Sequence, residues 1–353
     1  MRAPAVTPRS ARGGEWIVYV ANADSSDIAV VALDRAGGTL RDVDRFATDG
    51  RVMPLAVHPA RRVLYASIRS QPLRVLSLAI DAESGRLREL GSAPSPASMC
   101  WISTDVSGRF LLSASYGGSL VAVSPIDEKG VAGGAQQVLA TDEKAHAFQV
   151  TPDNRFALAT CLGGGVVRQF RFDAASGRLA DNDPPAWRSR PGAGPRHFVF
   201  HPHAPLVYLL DELDATIDVL ALDRARGTVH GTGCVVSLLP PGFTGGAPWA
   251  ADLHCTPDGR FLYASERRSS TLSSFAIDAR SGALAHLETI ATEAEPRGFA
   301  LSPDGRHLIA VGQASDRLSL YAIDARSGAL AKLADRAIGR NPNWVEIVDL
   351  AAR

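Results

Sequence analysis

The sequence predicts an all-β protein in which one unit of four strands is repeated around a ring. Short runs of β-branched and aromatic residues alternate with Gly, Asp and Ser, beginning with WIVYVAN at 16–22 and DIAVVALD at 27–34. Such runs are typical of strands joined by tight turns. The chain has 353 residues, of which 46% are hydrophobic, and this is enough to bury a large core.

A turn with one fixed chemistry recurs along the whole chain. An apolar residue and an Asp are followed closely by Gly and then by an apolar residue, seven times at intervals of 46 to 55 residues. Asp and Gly together favour tight connections between antiparallel strands. A second turn, Pro-Asp-Gly-Arg or a degraded form of it, precedes the first in every unit but one. Seven units of this length predict a seven-bladed β-propeller. The repeat aspartates are Asp34, Asp81, Asp127, Asp173, Asp223, Asp278 and Asp324.

The ring is predicted to close by pairing the two ends of the chain. The first unit lacks its first strand, and the last strand-like run, NWVEIVDL at 343–350, follows the seventh turn. This run is expected to be the innermost strand of the first blade, which leaves no open sheet edge. We therefore predict one domain over 16–353. Residues 1–15 carry arginines but no apolar segment typical of a secretory signal, and are predicted to be a disordered leader.

The composition excludes several classes of partner. Lys and Arg number 37, as do Asp and Glu, so no bulk charge favours nucleic acid or a membrane surface. No apolar run is long enough to span a membrane. The four cysteines form no CxxC pair, which favours reduced thiols in a cytoplasmic protein. We predict a monomer or weak homodimer.

The period also places charged residues at one opening of the central channel. In a propeller blade the first strand lines the channel, and its start lies beside the end of the second strand. These positions vary between units, whereas the turns on the opposite face stay constant. We call this opening the mouth, and a constant scaffold with a variable, charged mouth indicates one ligand site there. Its charged residues are His146, Arg196, Glu212, Arg267 and Arg297.

The arginines predict an anionic ligand, because a buried cation without a partner is costly. Guanidinium groups bind carboxylate or phosphate through paired hydrogen bonds. The alternative is a set of ordinary salt bridges with Glu212, Glu266 and Glu295. His146 suits general acid–base chemistry near neutral pH, and Glu212 is either a base or a counter-ion of an arginine.

Further residues near the same strands are predicted to contact a ligand. They are His197, Trp249, Asp252, His254 and Gln313. His201 and His203 form an HxH pair, but they lie in a turn on the opposite face and are expected to be structural. The sequence has no ligand set typical of a metal, no phosphate-binding glycine loop and no GxSxG nucleophile motif. We therefore predict neither a metal nor a cofactor.

Three stretches resemble the propeller-type lactonase family, which includes bacterial 6-phosphogluconolactonases and the fungal carboxymuconate lactonizing enzyme. They are GPRHFVFHP (194–202), WAADLHCTPDGRFLYASERRSSTLSSFAID (249–278) and EPRGFALSPDGRHLIAVGQASDRLSLYAID (295–324). The resemblance extends from about residue 16 to 350 and implies a site of one His, two Arg and one Glu. By motif, these are His146, Arg196, Arg267 and Glu212. The chain departs from the family at CLGGGVV (161–167), where an Asp-Arg pair is usual.

This resemblance implies metal-independent hydrolysis of a sugar lactone, with 6-phosphogluconolactone or a related aldonolactone as substrate. The arginines would hold an anionic group and stabilise an oxyanion, and His146 or Glu212 would accept a proton from water. Two alternatives stay open at this point. One is a cycloisomerase that forms a lactone from an unsaturated dicarboxylate. The other is a propeller that binds a ligand or protein partner without catalysis, for which exposed apolar patches would be expected.

Overall fold

The computed structural model describes residues 14–60, 62–240 and 242–351. Within these ranges the chain forms 28 strands and no helix, arranged in seven antiparallel sheets of four strands. The predicted seven-bladed β-propeller is confirmed. Residues 1–13 of the predicted leader lie outside the described residues, and the first strand begins at Glu15.

The four strands of each blade lie side by side, and the innermost strand lines the central channel. From the innermost strand outward, blade 1 contains β28 (Pro342–Val348), β1 (Glu15–Asn22), β2 (Asp27–Asp34) and β3 (Leu40–Ala47). Blade 2 contains β4 (Val52–Val57), β5 (Val63–Ile68), β6 (Arg74–Ile80) and β7 (Leu87–Pro94). Blade 3 contains β8 (Trp101–Thr104), β9 (Phe110–Ser115), β10 (Leu120–Pro125) and β11 (Gln137–Ala140). Blade 4 contains β12 (Ala145–Val150), β13 (Phe156–Cys161), β14 (Val166–Asp173) and β15 (Arg178–Arg188).

The remaining three blades follow in chain order. Blade 5 contains β16 (Pro195–Phe200), β17 (Leu206–Asp211), β18 (Thr216–Asp223) and β19 (Thr228–Ser237). Blade 6 contains β20 (Ala250–Cys255), β21 (Phe261–Glu266), β22 (Thr271–Ile277) and β23 (Leu284–Ala291). Blade 7 contains β24 (Pro296–Leu301), β25 (His307–Gly312), β26 (Arg317–Ile323) and β27 (Leu330–Ala337).

The C-terminal strand closes the ring as the sequence predicts. β28 pairs antiparallel with β1, and Ile347 lies opposite Val18 in this ladder. The strand spans Pro342–Val348 rather than 343–350. Both ends of the chain thus contribute to one sheet, and the inner strand of blade 1 comes from the opposite end of the sequence to the other three.

The repeated Asp-Gly turns join neighbouring blades, which explains why they stay constant. The hydroxyl of Tyr263 in blade 6 donates to the carbonyl of Gly328 in the turn of blade 7, at 2.8 Å. Gly328 has a φ of 75°, and a Cβ there would lie 2.4 Å from the ring of Phe261. Only glycine meets both demands without strain. The turn is therefore a contact between blades as well as a reversal of the chain.

Apolar side chains fill the space between adjacent sheets. One cluster combines Ile17 of blade 1 with Leu64 and Leu78 of blade 2, and another combines Tyr208 of blade 5 with Phe275 of blade 6. Sheets packed face to face in this way bury alternate residues of each strand. The seven innermost strands are left to line the channel.

Candidate active site at the channel mouth

A β-bulge at the start of an innermost strand brings two consecutive residues into the channel. In the ladder between β16 and β17, Pro195 pairs with Asp211 and His197 pairs with Leu210, so Arg196 has no partner opposite it. Consecutive residues of a regular strand point to opposite faces, whereas an extra residue re-aims its neighbours. Arg196 and His197 therefore both contact residues of the channel.

Glu212, the residue after β17, lies between two arginines of the mouth. Its Oε2 is 2.7 Å from Nε of Arg196, a close ion pair whose angle does not make it a hydrogen bond. The same oxygen accepts a hydrogen bond of 3.0 Å from Nη2 of Arg267. Arg196 is fully buried, and its Nη1 and Nη2 have no hydrogen-bond partner among the described residues. One carboxylate is thus shared by two cations.

Arg267 is held in place by the backbone and the ring of Trp249. Its Nε donates to the carbonyl of Trp249 at 3.1 Å, and its guanidinium carbon lies 3.8 Å from the centre of that ring, as in a cation–π contact. Burial, followed by the charges of Arg196 and Arg297, lowers the pKa of Arg267. Trp249 is thereby placed as a support for Arg267.

The neighbouring glutamates do not neutralise the arginines. Glu266 accepts the backbone N–H groups of Trp249 and Ser269, both at 2.5 Å, and so fixes the turn. Within the described part of the chain, Arg297 has no ion pair and no side-chain hydrogen bond. Burial, followed by the charges of Arg196 and Arg69, lowers its pKa to about 9. The mouth therefore carries more positive than negative charge, and the predicted alternative of ordinary salt bridges holds only for Glu212.

His146, the second residue of β12, is buried beside these arginines. Its Nδ1 has no hydrogen-bond partner among the described residues. Burial, followed by the charge of Arg196, lowers the pKa of His146 well below 6.5. The imidazole is therefore neutral at pH 7 and can accept a proton. Its ring centre lies 4.9 Å from that of His197 and 6.0 Å from that of Tyr116.

Aromatic rings divide the channel behind the mouth. The ring of His197 lies 4.8 Å from Trp101 and 6.1 Å from Trp344, and the two tryptophans lie 5.4 Å apart. These residues belong to the innermost strands of blades 5, 3 and 1. Because those blades are not neighbours, their rings meet across the channel rather than along its wall.

A second cavity, of about 570 Å³, occupies the part of the channel beyond these rings. We call this part the far half and define it by Asp252, His254 and Glu346, which line the cavity together with Trp101 and Trp344. The sequence groups Asp252 and His254 with possible ligand contacts, and the structure places them here rather than beside the arginines.

Asp252 connects the two halves of the channel. Its Oδ1 accepts a hydrogen bond of 2.8 Å from Nδ1 of His197, and its Oδ2 lies 3.2 Å from Nε2 of His254. Burial opposes ionisation of Asp252, but His254 and His197 hold its pKa well below the usual range. Burial, followed by the charge of Arg196, lowers the pKa of His197 to about 3. For His254, burial is outweighed by Asp252, which raises the pKa.

The other predicted residues have simpler surroundings. Gln313 donates from Nε2 to Oδ1 of Asn341 at 2.6 Å, at the edge of the mouth. His201 lies 3.2 Å from the carbonyl of Gly259 in the turn of the next blade, in keeping with the structural role expected of it. In the glycine-rich departure, the N–H groups of Gly163 and Gly164 both donate to the carbonyl of Glu143, at 3.0 and 3.1 Å. This segment turns the chain from β13 to β14, and its hydrogen bonds tie that turn to Glu143, two residues before the strand that carries His146.

The described residues show no metal-binding cluster, no membrane-spanning helix and no disulfide. No group of three or more His, Cys, Asp or Glu residues within the described ranges is arranged to hold a metal ion. Nor does the described part of the chain contain a helix that could cross a membrane. All four cysteines are free.

The chain was compared with known protein families. The family described as "Lactonase, 7-bladed beta-propeller" matches residues 16–347. The chain belongs to this lactonase family. It is 40% identical over 336 residues to a 6-phosphogluconolactonase of Pectobacterium carotovorum, covering 95% of this chain and 99% of that protein. It is 41% identical over 334 residues to a 6-phosphogluconolactonase of Sodalis glossinidius, covering 94% and 98%.

A solved structure of a lactonase superposes closely on the chain. The periplasmic gluconolactonase of Pseudomonas aeruginosa matches with a TM-score of 0.89 and 28% identity, over 95% of this chain and 99% of that one. These similarities agree with the resemblance on which the site residues were predicted. Of those residues, Glu212 contacts both Arg196 and Arg267. His146 is close enough for the charge of Arg196 to lower its pKa.

Sequence reasoning missed the aromatic partition and, on its far side, Glu346. Trp101 follows Cys100, which the period places at the start of the innermost strand of blade 3, but its ring contacts were not predicted. Glu346 lies two residues after Trp344 on β28, and therefore on the same face of the strand. It accepts a hydrogen bond of 2.9 Å from the indole Nε1 of Trp344. Period-2 alternation along the innermost strands is the signal that could have identified both.

Proposed function

We propose that this protein hydrolyses a sugar lactone at the mouth, and that 6-phosphogluconolactone is its main substrate. The observation that supports this most strongly is the buried guanidinium of Arg196, whose two Nη atoms have no partner among the described residues. A buried donor pair of this kind favours a ligand oxygen that accepts from it, most strongly one that becomes negative. Relatives named 6-phosphogluconolactonase cover nearly the whole chain and supply the substrate class.

In this mechanism water attacks the lactone carbonyl while His146 accepts a proton from it. The neutral imidazole suits this role, since burial and Arg196 keep its pKa well below 6.5. The Nη groups of Arg196 donate to the oxygen that becomes negative in the tetrahedral intermediate. The ring C–O bond then breaks, and the imidazolium returns its proton to the departing ring oxygen, which becomes a hydroxyl group. The carboxylic acid formed keeps the second proton of the water and releases it to solvent as it ionises to a carboxylate.

Glu212 acts as the counter-ion that positions the two arginines. Its Oε2 lies within 3.0 Å of both guanidinium groups, so this oxygen is held between two cations. Arg267, supported by Trp249, adds positive charge beside the reacting carbonyl. This assigns the base role, left open between His146 and Glu212 by the sequence, to His146.

One observation favours a second candidate reaction. Three mouth arginines face a single carboxylate that pairs with two of them, and this excess charge would also suit an unsaturated dicarboxylate undergoing cycloisomerisation.

We propose that the protein acts in the cytoplasm, because all four cysteines are free and thiols stay reduced there.

The test is a pH-stat assay of purified protein with EDTA on freshly made 6-phosphogluconolactone, gluconolactone and galactonolactone. We expect fast acid release from the phosphorylated lactone that is unaffected by EDTA. His146→Ala and Arg196→Met should each reduce it on the order of a hundredfold. No turnover of any lactone, together with turnover of a muconate-type dicarboxylate, would replace the proposal by the cycloisomerase.

A further inference from the structure

A second cationic pocket lies at the rim of the mouth, between blades 7, 1 and 2. Its volume is about 220 Å³, below the roughly 300–1,000 Å³ of pockets that enclose whole ligands. It is therefore sized for one group of a larger molecule. Its polar lining consists of three arginines, three amides and one hydroxyl, with no carboxylate from the described part of the chain: Arg51, Arg69, Ser98, Arg297, Gln313, Asn341 and Asn343.

Two of the three arginines in this pocket lack a counter-ion. Arg51 is paired with Asp24, to which its Nε donates at 2.9 Å. Arg69 donates from Nε to the neutral hydroxyl of Ser98 at 2.8 Å, and no ion pair involves it or Arg297 within the described residues. Two positive charges thus face the pocket without compensation, which is the arrangement that binds an anionic group.

Arg297 links this pocket to the reacting centre. It lines the rim pocket, and in the bulge at the start of β24 it has the position that Arg196 has in β16, unpaired between Pro296 and Gly298. Burial, followed by the charges of Arg196 and Arg69, lowers its pKa. Arg196 is fully buried, whereas Arg69 is exposed at the rim. A molecule whose carbonyl contacts Arg196 would therefore extend past Arg297 with its other end at Arg69.

We propose that Arg69 and Arg297 bind the phosphate group of a phosphorylated sugar lactone whose carbonyl lies at Arg196. In 6-phosphogluconolactone the phosphate and the carbonyl are at opposite ends of the molecule, as this arrangement requires. The pocket then sets the preference for phosphorylated over neutral lactones. This inference rests on the proposed function.

The test compares substrates rather than overall activity. A hydrogen bond to a charged group contributes about 1.5–3 kcal/mol, so Arg69→Gln should raise the KM for 6-phosphogluconolactone at least about tenfold more than the KM for gluconolactone. Arg51→Gln, at the same pocket but paired with Asp24, should change this ratio less. Arg260→Gln removes an arginine whose Nη1 donates to the Ala325 carbonyl on the opposite face, and should leave both KM values unchanged.

Inorganic phosphate provides a test that needs no turnover. We expect it to inhibit competitively, and to bind to the wild-type protein but at least tenfold more weakly to Arg69→Gln in a calorimetric titration. Equal loss on both lactones, or phosphate binding that is independent of Arg69, would overturn the inference. If no lactone is hydrolysed, the proposed function fails, and Arg69-dependent phosphate binding still decides whether the pocket is an anion site.

Discussion

The two halves of the channel are joined by one carboxylate and yet are electrostatically opposite. Asp252 contacts His197 on the mouth side and His254 on the far side, and these two histidines shift their pKa values in opposite directions. His197 is buried near Arg196, whereas His254 is half-buried near Glu346. The change of sign across a single side chain marks the boundary between a cationic and an anionic compartment.

The difference shows that cavity volume and unmet hydrogen bonding point to different parts of the channel. The far half contains a cavity of about 570 Å³, and Asp252 and His254 in it contact each other. The mouth contains a buried guanidinium without hydrogen-bond partners at either Nη among the described residues. Unmet hydrogen-bonding capacity, rather than volume, indicates where a ligand would stabilise the protein most.

The largest expected effect is on catalysis, and it should be confined to the mouth. Arg196→Met should lower kcat/KM for the lactone on the order of a hundredfold or more, because the oxyanion loses its donors. Glu346→Gln, in the far half, should change kcat/KM by less than about threefold. Steady-state kinetics on both variants, with circular dichroism to verify folding, would break the comparison if the two losses were similar.

The next effect is on stability, and it tests whether Glu212 is needed by the two arginines. Glu212→Gln should lower the free energy of unfolding by about 3 kcal/mol, because it leaves two buried cations without a counter-ion. Urea denaturation at pH 7.5 measures this. An unchanged midpoint would mean that water already compensates the charges of Arg196 and Arg267.

The two histidines on Asp252 offer a direct measurement of the boundary. In an NMR titration of the imidazole rings, His254 should titrate above 6.5, whereas His197 should stay neutral down to about pH 4, since its pKa is lowered to about 3. A lowered pKa means that the unfolded state binds the proton more tightly. The contribution of His197 to stability is therefore present above pH 6.5 and decreases as the pH falls towards 3. Parallel titration of both rings would remove the distinction.

The smallest expected effect has the opposite sign to that of Glu212→Gln. Burial raises the pKa of Glu346 to about 7, so this carboxyl group destabilises the fold increasingly as the pH rises from its unfolded value towards 7. Glu346→Gln should therefore increase the free energy of unfolding at pH 8 by on the order of 1 kcal/mol, after allowance for partial exposure. Near pH 4, where the group is largely protonated in both states, the difference should vanish. Thermal unfolding at the two pH values provides the measurement.

The repeat determined how much of this could be foreseen. The spacing of the Asp-Gly turns predicted seven blades, the closing strand and the ring of mouth positions. It could do so because a tight turn depends on a few consecutive residues, whose types are given by the sequence. The bulge at Arg196 could not be predicted in this way, since strand alternation alone would separate Arg196 from His197. The contact of Trp101 with Trp344 depends on blades that are distant in the chain. Arg69 follows the second strand of blade 2, but only the packing shows that it lacks a counter-ion.

The closing of blade 1 by β28 has a consequence for how ligand and fold depend on each other. The pocket at the rim of the mouth is lined by residues of blades 7 and 2 and of blade 1, which lies between them. Asn343 of β28 is part of this lining. A phosphate group bound there would hold β28 in blade 1, because Asn343 is in the pocket only when this strand is paired with β1. By mass action, ligand at a hundred times its Kd would add about 2.7 kcal/mol to the stability of the closed ring. The backbone amides of β28 would then exchange with solvent more slowly when ligand is bound. Hydrogen exchange in the β1–β28 ladder would therefore report whether the site is occupied.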